Sequence, residues 1–477
     1  MEFFLSTGHY ELARDVLVKV FEHQYLETKE WPQWFMFDDY NVQAEEWHGD
    51  VVFWPLKCVG DYLAATGDFS ILKENIGYRF LADHKATIEK NTMLKHVKEA
   101  IEAVKAHFIP NTVLISYAGG DWDDTLQPAN PDMRSNMVSA WTESLAYQVF
   151  IRLSDMLKKV DPDYAIELAD LCKAIQRSFN EILIKNNVIT GFAYFKSKGI
   201  IDYMLHPDDL KTGIHYRLLP LTRSIISEIV DKKQAEKNDK IIDRKLSFPD
   251  GVRLMDRPAH YEGGVTRHFQ RAEQAANVGR EISLQYVHAH IRYIEAMAKL
   301  GNAYKVWKAL FQIIPIGIKE VVPNAALRQA NAYFSSSDGA FANRYEYQDE
   351  FERLRDGSIA VKGGWRIYSS GSGILISQMI SNILGIRFIA GGLVIDPVLP
   401  GRLNGLHFDF TYGGQEVTFI YHIVDKGSET SVVCGGHVLK TKKLKNPYRQ
   451  GGVKIDRKLM LAMLETDPAV HIYVQEQ

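Results

Sequence analysis

A mainly α-helical chain closed by a small β-domain is the fold class this sequence predicts, and three observations predict it. Glycine recurs just past apolar helical stretches, at Gly8, Gly67 and Gly301. Apolar residues step by three or four through long parts of residues 1 to about 385, the period of a helix with one buried face. Beyond Gly385 the pattern becomes short alternating runs separated by glycine pairs, the period of strands and tight turns.

The turns come first. Thr7-Gly8-His9-Tyr10, Thr66-Gly67-Asp68-Phe69 and Leu300-Gly301-Asn302-Ala303 each put glycine after a helix, where a left-handed residue closes the last turn. Asp68 and Asn302 follow directly and suit the cap of the next element. This is the grammar of helical hairpins stacked side by side. Pro55 fits a first helical turn. Val138, Trp141, Leu145, Val149 and Leu153 mark one helix, and Leu284, Val287, Ile291, Ile294 and Ala298 another. Segments 86–108, 162–185 and 372–384 add three more. So many helix pairs point to an α/α toroid over residues 1–385. A superhelical repeat array is the alternative, but the segments between hairpins are too irregular for a fixed period. From 386 to 477, Phe388–Pro397, Leu406–Tyr412, Val417–Tyr421 and Val432–Val438 read as short strands and turns, with Gly413-Gly414 as a hairpin turn. A C-terminal β-sandwich is expected there.

Composition narrows the function. The 477 residues are 46% hydrophobic with a net charge of -3, which argues against a general nucleic-acid binder. The basic stretches 232–245 and 440–445 are interleaved with acids or short, so they read as solvated faces. Cys58, Cys172 and Cys434 are few and widely spaced, which fits a reducing compartment. No apolar run reaches membrane-spanning length, and Met1-Glu2-Phe3-Phe4-Leu5 lacks a basic leader. The expected location is cytoplasmic, with no membrane partner.

Gly120-Asp121-Trp122-Asp123-Asp124 is the densest chemical signal. An indole face suits a pyranose ring, and crowded carboxylates repel, raising at least one pKa toward that of a proton donor. A solvated acidic turn is the competing account. Three other constellations stand beside it. Glu281 and His288 lie seven residues apart, two turns along one face if both are helical; a lone inward histidine is more often a core residue than a ligand. His288 and His290 diverge on a helix, and no zinc spacing occurs, so no metal is expected. Tyr368-Ser369-Ser370-Gly371-Ser372-Gly373 precedes an apolar helix and would suit an anion, or an ordinary N-cap. It lacks the lysine of a nucleotide phosphate loop. Finally, Trp31 to Tyr40 and Glu45-Glu46-Trp47-His48-Gly49-Asp50 interleave aromatics with acids, as a carbohydrate platform or as core; Trp47 and His48 are the least core-like.

Taken in order, these segments resemble glycoside hydrolase family 94, the inverting β-glucoside phosphorylases, over essentially the whole chain. Gly120 to Asp124 resembles the family's Gly-Asp-Trp-Asn-Asp loop, whose last Asp is the general acid. Glu281 with His288 is similar to a family Glu and His seven apart, the His contacting phosphate. Gly364-Trp365 with Ser369-Ser370-Gly371 resembles the hydroxyl-glycine phosphate loop. Leu393 to Pro400 resembles the start of the C-terminal β-domain, and Trp141-Thr142-Glu143-Ser144 the helix behind the acid loop. Glu30 to Phe37 and Tyr333 to Asp338 look more like the 1,2-β-oligoglucan phosphorylases than cellobiose phosphorylase.

The resemblance implies an (α/α)6-barrel and phosphorolysis of β-linked gluco-oligosaccharides to α-glucose 1-phosphate. It implies Asp124 as acid; His288, Ser369, Ser370 and Gly371 at phosphate; and Asp121, Trp122, Glu281, Trp47 and His48 at the sugar. No cofactor is implied, inorganic phosphate being a co-substrate, and a homodimer is a candidate assembly. Asp123 stands where Asn is common, adding negative charge beside Asp124. Family members also carry a β-sandwich and a first barrel segment before this point, with an Arg-Asp motif for the glucosyl unit and an Arg for phosphate. The chain is therefore expected to be truncated. The alternatives are an inverting hydrolase with Glu281 as base, or an inactive sugar-binding fragment.

Overall fold

Helix Phe53–Thr66 packs on helix Ala140–Leu157, which packs on Leu218–Ser227; that helix meets Val287–Leu300, and Val287–Leu300 meets Ser369–Gln378, which touches Glu2–Ser6. Four further helices each cover one of these: Tyr10–Phe21 on Phe53–Thr66, Pro162–Ser178 on Ala140–Leu157, Lys232–Ile241 on Leu218–Ser227 and Ala303–Phe311 on Val287–Leu300. Burial separates the two layers. All ten residues of Leu218–Ser227 are buried, whereas Lys232–Ile241 buries only Ala235, Asn238 and Ile241, at a step of three. Each fully buried Leu or Ile of the inner layer contributes about 1.5–3 kcal/mol. The computed structural model describes residues 1–37, 43–44, 47–278, 284–328, 333–364, 369–424 and 429–476, without the side chains of Lys198, Ser369 and Ser370.

The predicted turn chemistry is present. Gly67 and Gly301 cap their helices in the left-handed region, at φ +69° and +80°. Asp68 accepts from the Ser70 amide and Asn302 from the Lys305 amide. Pro55 lies in the first turn of Phe53–Thr66.

Four helical predictions need correction at their edges. Residues Ala86–Thr92 form a strand paired antiparallel with Asn75–Arg79, and the helix is Met93–Ala106. Thr92 ends the strand and caps the helix by accepting from the Lys95 amide, a capping choice that apolar periodicity alone does not show. Val138 belongs to a short strand, Met137–Ser139, and Ser139 caps the helix from Ala140. The 162–185 helix ends at Ser178, passes through a wide π turn and becomes the strand Ile184–Lys185. Gln285–Tyr286 is a strand paired with Ser336–Gly339, so helix Val287–Leu300 starts one residue before His288. Glu281, the other residue of that predicted face, lies outside the described residues.

From Ile386 the chain builds two sheets, with the α-helix Arg457–Leu464 inserted between strands Val453–Asp456 and Ala469–Gln475. Strands Ile386–Ile389, Gly392–Ile395, Val453–Asp456 and Thr441–Lys443 form the first, in that spatial order. His407–Tyr412, Gln415–Val424, Ala469–Gln475, Ser431–Cys434 and His437–Val438 form the second. The predicted hairpin closes as Tyr412↔Gln415 around Gly413 and Gly414, at φ +60° and +86°, a two-residue turn that favours glycine. Leu393, Ile455, Phe419 and Ile472 join the same continuous core as the helices. Among the described residues, no helix is long and apolar enough to cross a membrane.

Candidate active site

The acid loop is tied down before its side chains are considered. The Gly119 amide donates to Trp47 O at 3.0 Å and the Gly49 amide to Gly120 O at 3.1 Å, so residues 47–49 run as a short ladder beside the loop. Gly120 sits at φ +156°, and a Cβ there would lie 3.1 Å from the His48 ring. Glycine lets that ring close over the loop.

The aspartates then part company. Asp121 is fully buried. Arg217 Nη2 donates to both its oxygens at 2.9 and 3.0 Å, Ser139 Oγ donates to it at 2.8 Å, and the Asp123 amide at 2.9 Å. These bonds brace the loop, and Asp121 also stands among the residues that line the cavity around Asp124. Asp123 is also buried; Thr125 Oγ1 donates to Oδ1 at 2.5 Å, and Oδ2 lies 3.7 Å from Arg217. Burial pushes its carboxyl up to about 6, against the pull of the Arg217 cation and with a further push from Asp121. One pKa in the loop is raised as expected, though desolvation outweighs the repulsion.

Asp124 turns the other way, its side chain 44% exposed. Gln33 Nε2 donates to Oδ1 at 3.3 Å, His48 Nδ1 lies 3.7 Å from Oδ1, and Arg271 Nη1 lies 3.4 Å from Oδ2. These groups, with Trp122, Asp50, Tyr286 and His288, line one cavity of about 530 Å³. Asp50 is buried in its wall and accepts from Trp54 Nε1 at 2.9 Å; burial, with Asp121 and Asp124 nearby, pushes its carboxyl up to about 7.

The far side of the cavity holds His288. Its ring lies 6.2 Å from the Trp122 ring and 5.6 Å from Tyr286, and its Nδ1 is 3.2 Å from Tyr333 Oη. Burial, and secondarily the Arg292 cation, lowers its pKa to about 4, so the imidazole is neutral at pH 7 and works as a hydrogen-bond donor or acceptor. Ser369, Ser370 and Gly371 open helix Ser369–Gln378. A Cβ on Gly371 would fall 2.1 Å from the Tyr333 ring. Tyr333 therefore bridges the helix start to His288, and any side chain at Gly371 would displace it.

The structure thus gathers Asp124, Trp122, His48 and His288 at one cavity. Trp47 stands apart, its ring stacked on His107 at 4.3 Å and facing a second depression with Arg134 and Ser135. Gln33, Asp50, Arg217, Arg271, Tyr286 and Tyr333 received no role from sequence. Asp50 and Gln33 lay inside the aromatic-acidic stretch and carried a weak signal. Arg217 and Arg271 carried none, since they reach the loop only through tertiary folding. The family resemblance placed its arginines upstream; this chain sets two of its own against the loop.

Residues 33–336 match the model described as the glycosyl hydrolase 94 superfamily catalytic domain, and residues 385–473 match that of the glycoside phosphorylase C-terminal domain. The chain belongs to the glycosyl hydrolase 94 superfamily. Within it, a 1,2-beta-oligoglucan phosphorylase of Listeria innocua is 50% identical over 96% of this chain and 41% of its own length. A solabiose phosphorylase of Paenibacillus borealis is 23% identical over 54% of this chain and 31% of its own. The glycosyl hydrolase 94 chain described here thus spans less than half the length of these relatives. Among solved structures, a sialidase aligns at TM-score 0.49 and 13% identity over 82% of this chain and 31% of that one.

Proposed function

We propose that this chain carries the reaction centre for inverting phosphorolysis of β-linked gluco-oligosaccharides, β-1,2-linked glucans in the first instance. Family membership and the 50%-identical oligoglucan phosphorylase support the reaction class. One observation carries the site: a half-exposed carboxyl, Asp124, shares a cavity with the Trp122 indole and the His288 imidazole. The scaffold is read as an (α/α)6-barrel over 1–385 followed by a β-sandwich over 386–477, working in the cytoplasm.

In this reading the glucosyl ring lies on Trp122, with Asp50 and His48 at its hydroxyls. Asp124 protonates the glycosidic oxygen as its bond to the anomeric carbon breaks. A phosphate oxygen, positioned by His288 and by the helix start at residues 369–371, attacks that carbon from the opposite face and forms α-glucose 1-phosphate. A hydrolase would need a second carboxylate as base, roughly 6.5–9.5 Å from the acid with water between; phosphate arrives already anionic and needs none. Asp121 and Arg217 hold the loop and stay out of the reaction. A homodimer is the candidate assembly.

The test is incubation with a β-1,2-linked glucan with and without inorganic phosphate. The reading expects glucose 1-phosphate in the first case and no turnover in the second. Glucose release that ignores phosphate contradicts it.

A further inference from the structure

Four tryptophans stand among the described lining residues of the cavity, and the protein does not use them alike. Trp31 is core: it is 1% exposed, its Nε1 donates to Val20 O at 2.8 Å, and its ring meets Phe21 edge-on at 5.2 Å. Trp54 Nε1 donates to Asp50 at 2.9 Å, and the Trp122 ring lies 5.1 Å from Tyr286. Trp34 is the open one, lining the cavity with 50% of its surface accessible. A lone exposed apolar residue needs no explanation. An indole in the wall of the reaction cavity, one residue from the side chain that touches the acid, is a different case.

The backbone beneath that indole is fixed. The chain bends at Gln33 and Trp34, which brings both side chains to the same cavity. The Ala44 amide donates to Trp34 O at 3.0 Å, Phe35 pairs antiparallel with Gln43, and the Phe35 ring stacks on His23 at 4.1 Å. A large apolar face held in place while open to water is already arranged for a ligand. Its position along the cavity follows from a chain of contacts. The His288 ring lies 6.2 Å from Trp122, Asp124 follows Trp122 by two residues and accepts from Gln33 at 3.3 Å, and Trp34 follows Gln33. Trp34 is also the more exposed of that last pair, hence further toward the rim.

We propose that Trp34 is the platform for the second sugar of the leaving glucan, counted from the bond that breaks, and that it sets the preference for chain length. This rests on the phosphorolytic reading above. Displacement with inversion puts nucleophile and leaving group on opposite faces of the anomeric carbon, so the leaving glucan runs past the acid and away from His288. Its first sugar lies beside Asp124 and Gln33, where the acid reaches the glycosidic oxygen. The next sugar meets the Trp34 indole, whose flat apolar face suits the C–H face of a pyranose. A disaccharide substrate ends before this platform and a trisaccharide reaches it.

The test is phosphorolysis of β-1,2-linked di- and trisaccharides by the chain with Trp34→Ala, Trp34→Phe and wild type, folding being checked by denaturation midpoints. The readout is the ratio of kcat/KM for the trisaccharide to that for the disaccharide. Trp34→Ala is expected to lower the ratio about tenfold, the loss of one aromatic platform. Trp34→Phe is expected to keep most of it, since an aromatic face remains. If Trp34→Ala fails to fold, Trp34→Leu takes its place with the same expectation, being apolar without a flat face. An unchanged ratio, or an unchanged trisaccharide kcat/KM, overturns the platform and leaves phosphorolysis standing. A wild type that releases no glucose 1-phosphate from either substrate overturns both.

Discussion

The acid loop has two faces built from the same residue type, and they differ in almost every physical respect. On the inner face Asp121 is fully buried, with one arginine nitrogen donating to both its oxygens and a serine hydroxyl and a backbone amide donating beside it. On the outer face Asp124 is nearly half exposed and lies 3.3–3.7 Å from Gln33, His48 and Arg271. Two residues of chain separate a carboxylate buried among its hydrogen-bond donors from one that opens onto the cavity. Composition of the loop does not distinguish them; what Arg217 and the cavity do to each one does.

That contrast can be broken hardest from the inner face. Arg217→Ala leaves Asp121 charged, buried and unpaired, and a loss of about 3–5 kcal/mol is expected, read as a drop in the denaturant midpoint. Asp123 comes next. Its carboxyl is raised to about 6 by burial, so the folded state holds a proton that the unfolded chain releases. Stability therefore falls as pH rises from the ordinary carboxylate range through about 6. Asp123→Asn removes that penalty, and above pH 7 it is expected to be more stable than wild type by about 3 kcal/mol, at roughly 1.4 kcal/mol per pKa unit. Near pH 4 the two should converge. Denaturation at several pH values checks the crossing.

Gly120→Ala tests the join between the faces. Its φ of +156° and the His48 ring 3.1 Å from an added Cβ predict a loss of about 1–3 kcal/mol and a displaced His48. On the outer face the expected stability effect nearly vanishes. Asp124→Asn should fall within about 0.5 kcal/mol of wild type, because its side chain is 44% exposed.

How far the sequence could be read follows the same division. Helical hairpins were legible because their signals are local: Gly67 with Asp68 and Gly301 with Asn302 announce a stop and a start within two residues. The edges that misled, at Thr92, Ser139 and Tyr286, are places where a strand hands over directly to a helix, and apolar periodicity runs through the junction without a break. The site was legible as far as Asp124, Trp122 and His288, which lie in recognisable stretches. Arg217 and Arg271 were not, because each meets the acid loop across a long span of chain with no pattern of its own. Tyr333 was visible only as part of a longer resemblance; its job, bridging Gly371 to His288, exists only in the folded molecule. Trp47 was the reverse, a residue whose flanking acids suggested a sugar contact and whose ring instead stacks on His107.

The most direct measurement compares glucose 1-phosphate release from a β-1,2-linked glucan by wild type and Asp124→Asn, with folding of both confirmed by their denaturation midpoints. If Asp124 is the proton donor, the variant keeps its stability and loses turnover by about 100- to 10,000-fold. Unchanged turnover in a stably folded Asp124→Asn would contradict the account.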